Sequence, residues 1–401
     1  MLTLQAIEEA YQVVSKEIYH SPCVLSRTLS QMTGSQVFLK LENLQMTGAF
    51  KERGALNKLA ALTKNELERG VITASAGNHA QGLAYHAKRL GGKAIIHMPV
   101  GTPLNKINAT RKHGAEVVLV GRNYDEAYEE AIARQQQEGL NFVHPFDDEL
   151  IMAGQGTIAL EIIEDQVEPE AVIVPIGGGG LISGIAVAIK ETYPQCKVYG
   201  VQAQCAPAMK YSIDAKRIVP AKSMPTLADG IAVKSVGHLT FPVIQQYVDD
   251  IVLVSEEEIS AAILTLLEVE KSLVEGAGAA TLAALAYHDL PLKDKRTVLV
   301  LSGGNIDVNL LSRIIERGLI KDGRMARLRV ELQDSPGQLA IVSACVARHN
   351  ANVLEVYHNR SFMNAAMGKT FLDITLETRG VDHVREIIQT LNQEGYSVQQ
   401  L

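Results

Sequence analysis

Between residues 36 and 310, short apolar runs alternate with longer helical patterns, and few folds can accommodate that order. Val37–Leu41, Ala94–Met98, Val117–Val120, Ala171–Ile176, Lys197–Val201 and Thr297–Leu301 read as strands. Helical stretches separate them: one runs up to His113, one covers Tyr124–Glu138, and one begins near Leu181. Strands that are apolar almost throughout, each followed by a helix, belong to parallel sheets covered on both faces. The elements are enough for two such α/β lobes.

The pattern changes after Gly318. Lys321–Arg324 reads as a linker, and the order beyond it is strand, helix, strand, strand, helix, strand. The runs are Arg327–Gln333, Gln338–His349, Asn352–His358, Lys369–Glu377, Val381–Gln393 and Tyr396–Gln400, with a turn at Asp334-Ser335-Pro336-Gly337. This βαββαβ order describes a ferredoxin-like unit. The expected domains are therefore 1–320, with a smaller mobile lobe at about 49–145, and 325–401.

Composition narrows the function. A 401-residue chain with 47% hydrophobic and 21% charged residues and a net charge of −7 is globular and has no general attraction for nucleic acid or anionic membrane. Cys23, Cys196, Cys205 and Cys345 are scattered with no C-x-x-C pair, which fits reduced thiols. The N-terminal stretch carries Glu8, Glu9 and Glu17 and does not read as a signal peptide, and no apolar run is long enough to span a bilayer. A cytoplasmic location is expected.

Four motifs carry chemistry. Lys51, in Thr47-Gly48-Ala49-Phe50-Lys51-Glu52-Arg53-Gly54-Ala55, stands between a glycine turn and a helical pattern over Gly54–Leu62. The positive end of a helix lowers an amine pKa, and a neutral amine is what carbonyl chemistry needs. Ser75-Ala76-Gly77-Asn78-His79-Ala80-Gln81-Gly82 leads into a helix starting near His79, with free backbone N–H groups suited to a carboxylate. Gly177-Gly178-Gly179-Gly180-Leu181 joins a strand to a helix, and its backbone can fold around a phosphate with no Cβ in the way. Ser302-Gly303-Gly304-Asn305 ends a strand, where parallel-sheet enzymes place ligand groups.

Taken singly, each motif has a plainer reading: a solvated lysine, an N-capped helix, a structural glycine loop, a strand-end turn. Together they supply an amine, an anion cradle, a ring contact and a carboxylate loop. That set is what a pyridoxal 5′-phosphate site requires.

On these residues the chain resembles the fold-type II pyridoxal-phosphate enzymes, and within them the threonine ammonia-lyases (threonine dehydratases). His144-Pro145-Phe146-Asp147, Ala153–Thr157 and Thr226–Gly230 add to the resemblance, which covers roughly residues 5 to 320. The C-terminal unit resembles an ACT regulatory domain. The resemblance implies a two-lobed fold, tryptophan synthase β-like, with a small-molecule amino-acid substrate and a homo-oligomer, dimer or tetramer. It implies that Lys51 binds the cofactor covalently, that Phe50 and Asn78 contact its ring, and that Gly177, Gly178, Gly179, Gly180 and Leu181 hold its phosphate. Ser302 would meet the pyridine nitrogen, and Ser75, Asn78, His79 and Gln155 would surround the substrate carboxylate. The implied reaction turns L-threonine into 2-oxobutanoate and ammonia, with L-serine a second substrate. From the Asp-Ser-Pro-Gly turn opening onto a helix, an amino-acid pocket is expected between subunits, with Asp334, Gly337 and Leu339 on one side and Asn352 across from them, and isoleucine or valine as effector; a dimerisation module with no ligand is the plainer reading.

Two departures bear on alternatives. Serine racemases of this fold carry a serine where this chain has Ala76, so acid/base chemistry here is expected from one side only. Relatives with a bound divalent cation use two acidic ligands where this chain has Gln204 and Lys210, beside Ala208, and no metal is expected there. A relative acting on serine, 3-hydroxyaspartate or a β-replacement substrate, and an amino-acid sensor on an inactive scaffold, remain as other readings; the retained Lys51 argues against the sensor.

Overall fold

In a computed structural model of the protein, which describes residues 1–222, 224–359 and 367–401, the chain divides into two compact units, Met1–Ile306 and Asp307–Leu401. The first is built on two sheets. The larger contains β1 (Cys23–Ser26), β2 (Gln36–Lys40), β7 (Ala171–Pro175), β8 (Lys197–Ala203), β9 (Asp250–Val254) and β10 (Arg296–Val300), in the order β1-β2-β10-β7-β8-β9. All neighbours are parallel except the β1–β2 pair. The smaller sheet, inserted in sequence between β2 and β7, contains β3 (Val71–Ala74), β4 (Ala94–Met98), β5 (Glu116–Leu119) and β6 (Asn141–Phe142), all parallel, in the order β5-β4-β3-β6. Helices lie between successive strands, as the alternation predicts.

The apolar runs behave as strands buried on both faces. Every residue of β3, β4 and β7 is buried. The largest core gathers Val172, Val174, Val298 and Val300 from the large sheet with Ile182, Ile185 and Ile189 from the Gly180–Thr192 helix. A separate core under the small sheet holds Val71, Ile96, Met98, Leu83 and Leu59. Beneath the Lys51–Ala60 helix, Arg53 is fully buried and bridges Glu42 and Glu161, with Lys40 on Glu161 at 2.6 Å. Buried charges are tolerable only when paired in this way.

The second unit begins with the helix Val308–Lys321 and continues with β11 (Met325–Gln333), β12 (Asn352–Asn359), β13 (Lys369–Glu377) and β14 (Ser397–Gln400). The strands are antiparallel in the order β12-β13-β11-β14, with helices Gln338–Arg348 and Val381–Gln393 in the βαββαβ sequence expected. The expected domain limits, 320 and 325, lie in the last turn of the Val308–Lys321 helix and just beyond it, and the compact units divide before that helix, at Ile306/Asp307.

Candidate active site

The four motifs meet at the C-terminal ends of strands of both parallel sheets in the first unit. Their side chains and backbone line one cavity: Phe50, Lys51, Asn78, Gln155, Gly177, Gly178, Gly179, Gly180, Leu181 and Ser302 are all in its wall. The backbone joins them directly. The Phe50 N–H donates to the Ser302 carbonyl at 3.0 Å, and Ala49 bridges Gly303, so the fourth motif carries the first.

Lys51 is the first residue of its helix rather than lying three residues ahead of it, since the helix runs Lys51–Ala60 and not Gly54–Leu62. Its amine lies 3.4 Å from the Pro145 carbonyl. Burial in the cleft leads in pushing its pKa down, to about 8, and the Glu275 carboxylate opposes it. The lowering expected from the helix terminus therefore has desolvation as its main source.

The glycine run fits a bound anion, and its packing leaves no room for larger residues. A Cβ on Gly178 would lie 2.3 Å from the Phe146 ring, and one on Gly180 2.9 Å from the Phe146 carbonyl. Gly179 has φ +104, a conformation only glycine adopts readily. It precedes the helix Gly180–Thr192, and among the described residues the amides of Gly178 to Leu181 meet no acceptor. Such a terminus is a ready anion site. Ser302 is buried and its hydroxyl has no partner. A buried hydroxyl without a partner is costly, and a heterocyclic nitrogen would satisfy it. The residues present thus fit pyridoxal phosphate: an amine, a phosphate cradle and a polar group for the ring.

The Asn78–Arg89 helix presents the amides of its first turn, and Gln155 is buried with its Nε2 unpartnered while its Oε1 accepts from the Gly54 N–H at 3.2 Å. Ser75 and His79 are not in the cavity wall. The Ser75 hydroxyl accepts from the Gly77 N–H at 3.3 Å, and His79 Nε2 lies 3.1 Å from the Val143 carbonyl. Burial, with a smaller contribution from Lys51, lowers the His79 pKa to about 3, so the ring is neutral.

Two residues that the sequence reading did not mark stand beside Asn78. Glu275 lines the cavity and accepts from the Asn78 amide at 2.8 and 3.1 Å. Burial raises its pKa to about 7, against the Asn78 hydrogen bond. Asn305 donates to the Asn78 side-chain oxygen at 2.9 Å and to the Thr47 carbonyl at 2.8 Å. Asn305 was legible as the last residue of its motif. Glu275 carried no signal, because it is the N-cap of a helix, Gly276–Tyr287, that resembles any small-residue packing helix.

At the positions without acidic ligands, Lys210 pairs with Asp214 at 3.3 Å and Asp250 at 3.8 Å, and no metal-holding cluster occurs among the described residues. In the C-terminal unit, Gly337 has φ +92 and starts the Gln338–Arg348 helix, and Leu339 is exposed beside it. Asp334 follows Gln333, which pairs with Lys369, whereas Asn352 pairs with Glu377 at the far end of β13. Within one chain Asn352 is therefore remote from the Asp334–Leu339 turn.

Fold and site together define a pyridoxal-phosphate enzyme of fold type II. The family described as "Pyridoxal-phosphate dependent enzyme" matches residues 14–303. The L-threonine ammonia-lyase of Geobacter sulfurreducens is 49% identical over 398 residues, covering 99% of both chains. The processed form of threonine deaminase isoform 2 from Solanum lycopersicum superposes with a TM-score of 0.75 at 39% identity, over 78% of this chain and 87% of that one. Maize serine racemase gives 0.75 at 31% identity, over 80% and 98%. The chain belongs to the threonine ammonia-lyases within the pyridoxal-phosphate dependent family.

Proposed function

We propose that the chain converts L-threonine to 2-oxobutanoate and ammonia by eliminating water, accepts L-serine to give pyruvate, and is regulated through its C-terminal unit. The carrying observation is the single cavity wall that holds the Lys51 amine, the Gly177–Leu181 amides and the unpartnered Ser302 hydroxyl. Lys51 would hold the cofactor, with Phe50 and Asn78 on its ring, the glycine loop on its phosphate and Ser302 at its ring nitrogen. Pyridoxal phosphate, when bound, supplies an electron sink for the bond broken at Cα. The neutral Ser302 hydroxyl keeps that sink modest, which suits prompt loss of a β-hydroxyl over transamination.

The chain's own residues do the rest. Ser75, the amides of Asn78 and His79 that open the Asn78–Arg89 helix, and the free Gln155 Nε2 would surround the substrate carboxylate. An amine with a pKa near 8 is in part neutral at neutral pH, so the Lys51 amine, when free, would take the Cα proton. Ala76 offers no acid or base of its own, and one-sided proton transfer favours elimination over racemisation. The released enamine takes up water to give the oxo acid and ammonia. Closure of the smaller lobe over the substrate, within about 49–145, belongs to this reading, as do a cytoplasmic location and a homo-oligomer.

For the C-terminal unit, the Asp334–Leu339 turn at a helix N-terminus is the candidate amino-acid pocket, with isoleucine or valine as ligand and Asn352 supplied by a second copy. Calorimetry on the full chain tests it: heat with isoleucine or valine that Asp334→Ala removes supports the pocket, and no heat with either rejects it.

The test of the reaction is 2-oxobutanoate release from L-threonine by the purified protein, with Lys51→Ala beside it. Product from the native chain and none from the variant supports the reading. Absence of product from a cofactor-loaded native chain refutes threonine as substrate.

A further inference from the structure

The tetrapeptide His144–Asp147 touches three parts of the site at once. The Pro145 carbonyl meets the Lys51 amine, and the Phe146 ring fills the space that the Gly178 side chain lacks. Asp147 reaches further. Its carboxylate accepts from the N–H groups of His238 at 2.9 Å, Leu239 at 2.8 Å and Thr240 at 3.4 Å, which open the Thr240–Tyr247 helix. Three amides on one carboxylate at a helix start form a strong, directional cap. Gly237 is packed so closely on this carboxylate that a Cβ there would lie 2.2 Å from Asp147 Oδ1.

The capped segment grips the glycine loop. The Thr240 hydroxyl donates to the Gly178 carbonyl at 2.6 Å, and the Gly237 N–H donates to the same oxygen at 3.2 Å. That carbonyl belongs to the peptide unit whose N–H is that of Gly179. In a trans peptide the C=O and N–H point in opposite directions, and this bond is trans. Two donors holding the carbonyl on one side therefore aim the Gly179 N–H away from them, and Gly179 is in the wall of the cavity. A run of four glycines has little preference of its own for that orientation, because glycine samples both signs of φ with ease. The orientation must come from outside the loop, and Thr240 and Gly237 are the groups that impose it.

We propose that Asp147 and Thr240 are positioning residues that lock the Gly178–Gly179 peptide in the orientation that binds the cofactor phosphate. The inference rests on reading Gly177–Leu181 as the phosphate cradle. Neither side chain needs to touch the cofactor. Thr240 acts through the carbonyl it holds, and Asp147 acts through the segment that carries Thr240 and Gly237.

The test compares pyridoxal phosphate with pyridoxal, which lacks the phosphate, on apoenzyme of the full chain by equilibrium dialysis. Thr240→Val keeps the shape and removes the hydroxyl, Thr240→Ser restores it, and Asp147→Asn removes the charge beneath the segment. The expected result is a Kd for pyridoxal phosphate raised about tenfold or more in Thr240→Val, the scale of one buried hydrogen bond. The Kd for pyridoxal stays unchanged, Thr240→Ser binds as the native chain does, and Asp147→Asn shifts in the same direction. Equal pyridoxal phosphate affinity in native and Thr240→Val proteins would overturn the proposal. So would an equal loss for both ligands, which marks general damage. A native apoenzyme that binds pyridoxal as tightly as pyridoxal phosphate would overturn the cradle reading itself, and that outcome is visible before any variant is made. If Thr240→Val does not fold, Asp147→Asn against the native chain, with the same two ligands, decides.

Discussion

The Asn78 side-chain amide donates to both carboxylate oxygens of Glu275, at 2.8 and 3.1 Å, across 197 positions of sequence. This contact ties the loop after β3 to the turn before the Gly276–Tyr287 helix, and it orients the residue read as the ring contact. Asn305 holds the other end of the same amide.

Glu275 makes the protein's stability depend on pH in a definite direction. Burial raises its pKa from 4.5 to about 7, so between those values the folded chain holds a proton that the unfolded chain has lost. This contribution to stability is full below pH 4.5, declines as pH rises, and levels off above about 7. Glu275→Gln, neutral throughout and still able to accept from Asn78, should match the native chain near pH 4.5 and exceed it at pH 8, by up to ~3 kcal/mol. Urea unfolding of the two apoenzymes across that range measures it. Glu275→Ala, which frees Asn78, should instead lower turnover by about tenfold or more.

The histidines act in the opposite sense on the acid side. Burial is the main cause that lowers His79 and His86 to about 3 and His144 to about 4, from 6.5. Below pH 6.5 the unfolded chain takes up protons that the folded chain refuses, so stability is lost steadily as pH falls toward 4. Neither ring nitrogen of His86 has a partner, so His86→Leu removes one of these groups without stranding another. The variant should show a shallower decline between pH 6.5 and 4 by about 1.4 kcal/mol per pH unit, read from urea midpoints.

Two glycine substitutions should separate space from chemistry. Gly178→Ala places a methyl 2.3 Å from the Phe146 ring, whereas a Cβ on Gly77 meets nothing within 4 Å. The first should destabilise by ~1–3 kcal/mol and weaken cofactor retention. The second should stay within ~0.5 kcal/mol of the native chain. Thermal unfolding, and cofactor retained after gel filtration, check both.

Arg53 ties the Lys51 helix to Glu42 and Glu161 through fully buried ion pairs. Arg53→Met leaves those carboxylates with Lys40 as the remaining cation on Glu161, and should cost ~3–5 kcal/mol in urea unfolding. Replacement by lysine should recover only part, because one ammonium cannot reproduce the forked contacts that Arg53 makes to both carboxylates.

Much of this protein could be read from the chain alone. Apolar runs such as Ala171–Pro175 appear as strands because a strand buried on both faces needs no alternation, and the glycine run after it declares a loop that must admit backbone and exclude side chains. Helix limits at Tyr124–Glu138 and Val381–Gln393 follow from local periodicity and are as expected. Local signals failed where neighbours decide. Val71–Ala74 is too short to announce itself, yet it is a central strand because β4 and β6 flank it. Lys51 opens its helix, rather than preceding it, because the turn before it is held by Ser302.

The sequence by itself determined which groups exist: an amine, four glycines, a serine at a strand end and an asparagine at a helix start. Only the tertiary structure decided which of them share a cavity, and it brought Glu275 in beside Asn78. The reason is physical. A helix or a glycine loop is specified by contacts a few residues apart, whereas a perturbed pKa or an oriented amide arises from burial and from partners distant in the chain. Glu275 is an ordinary N-cap until Asn78 and Lys51 are folded against it.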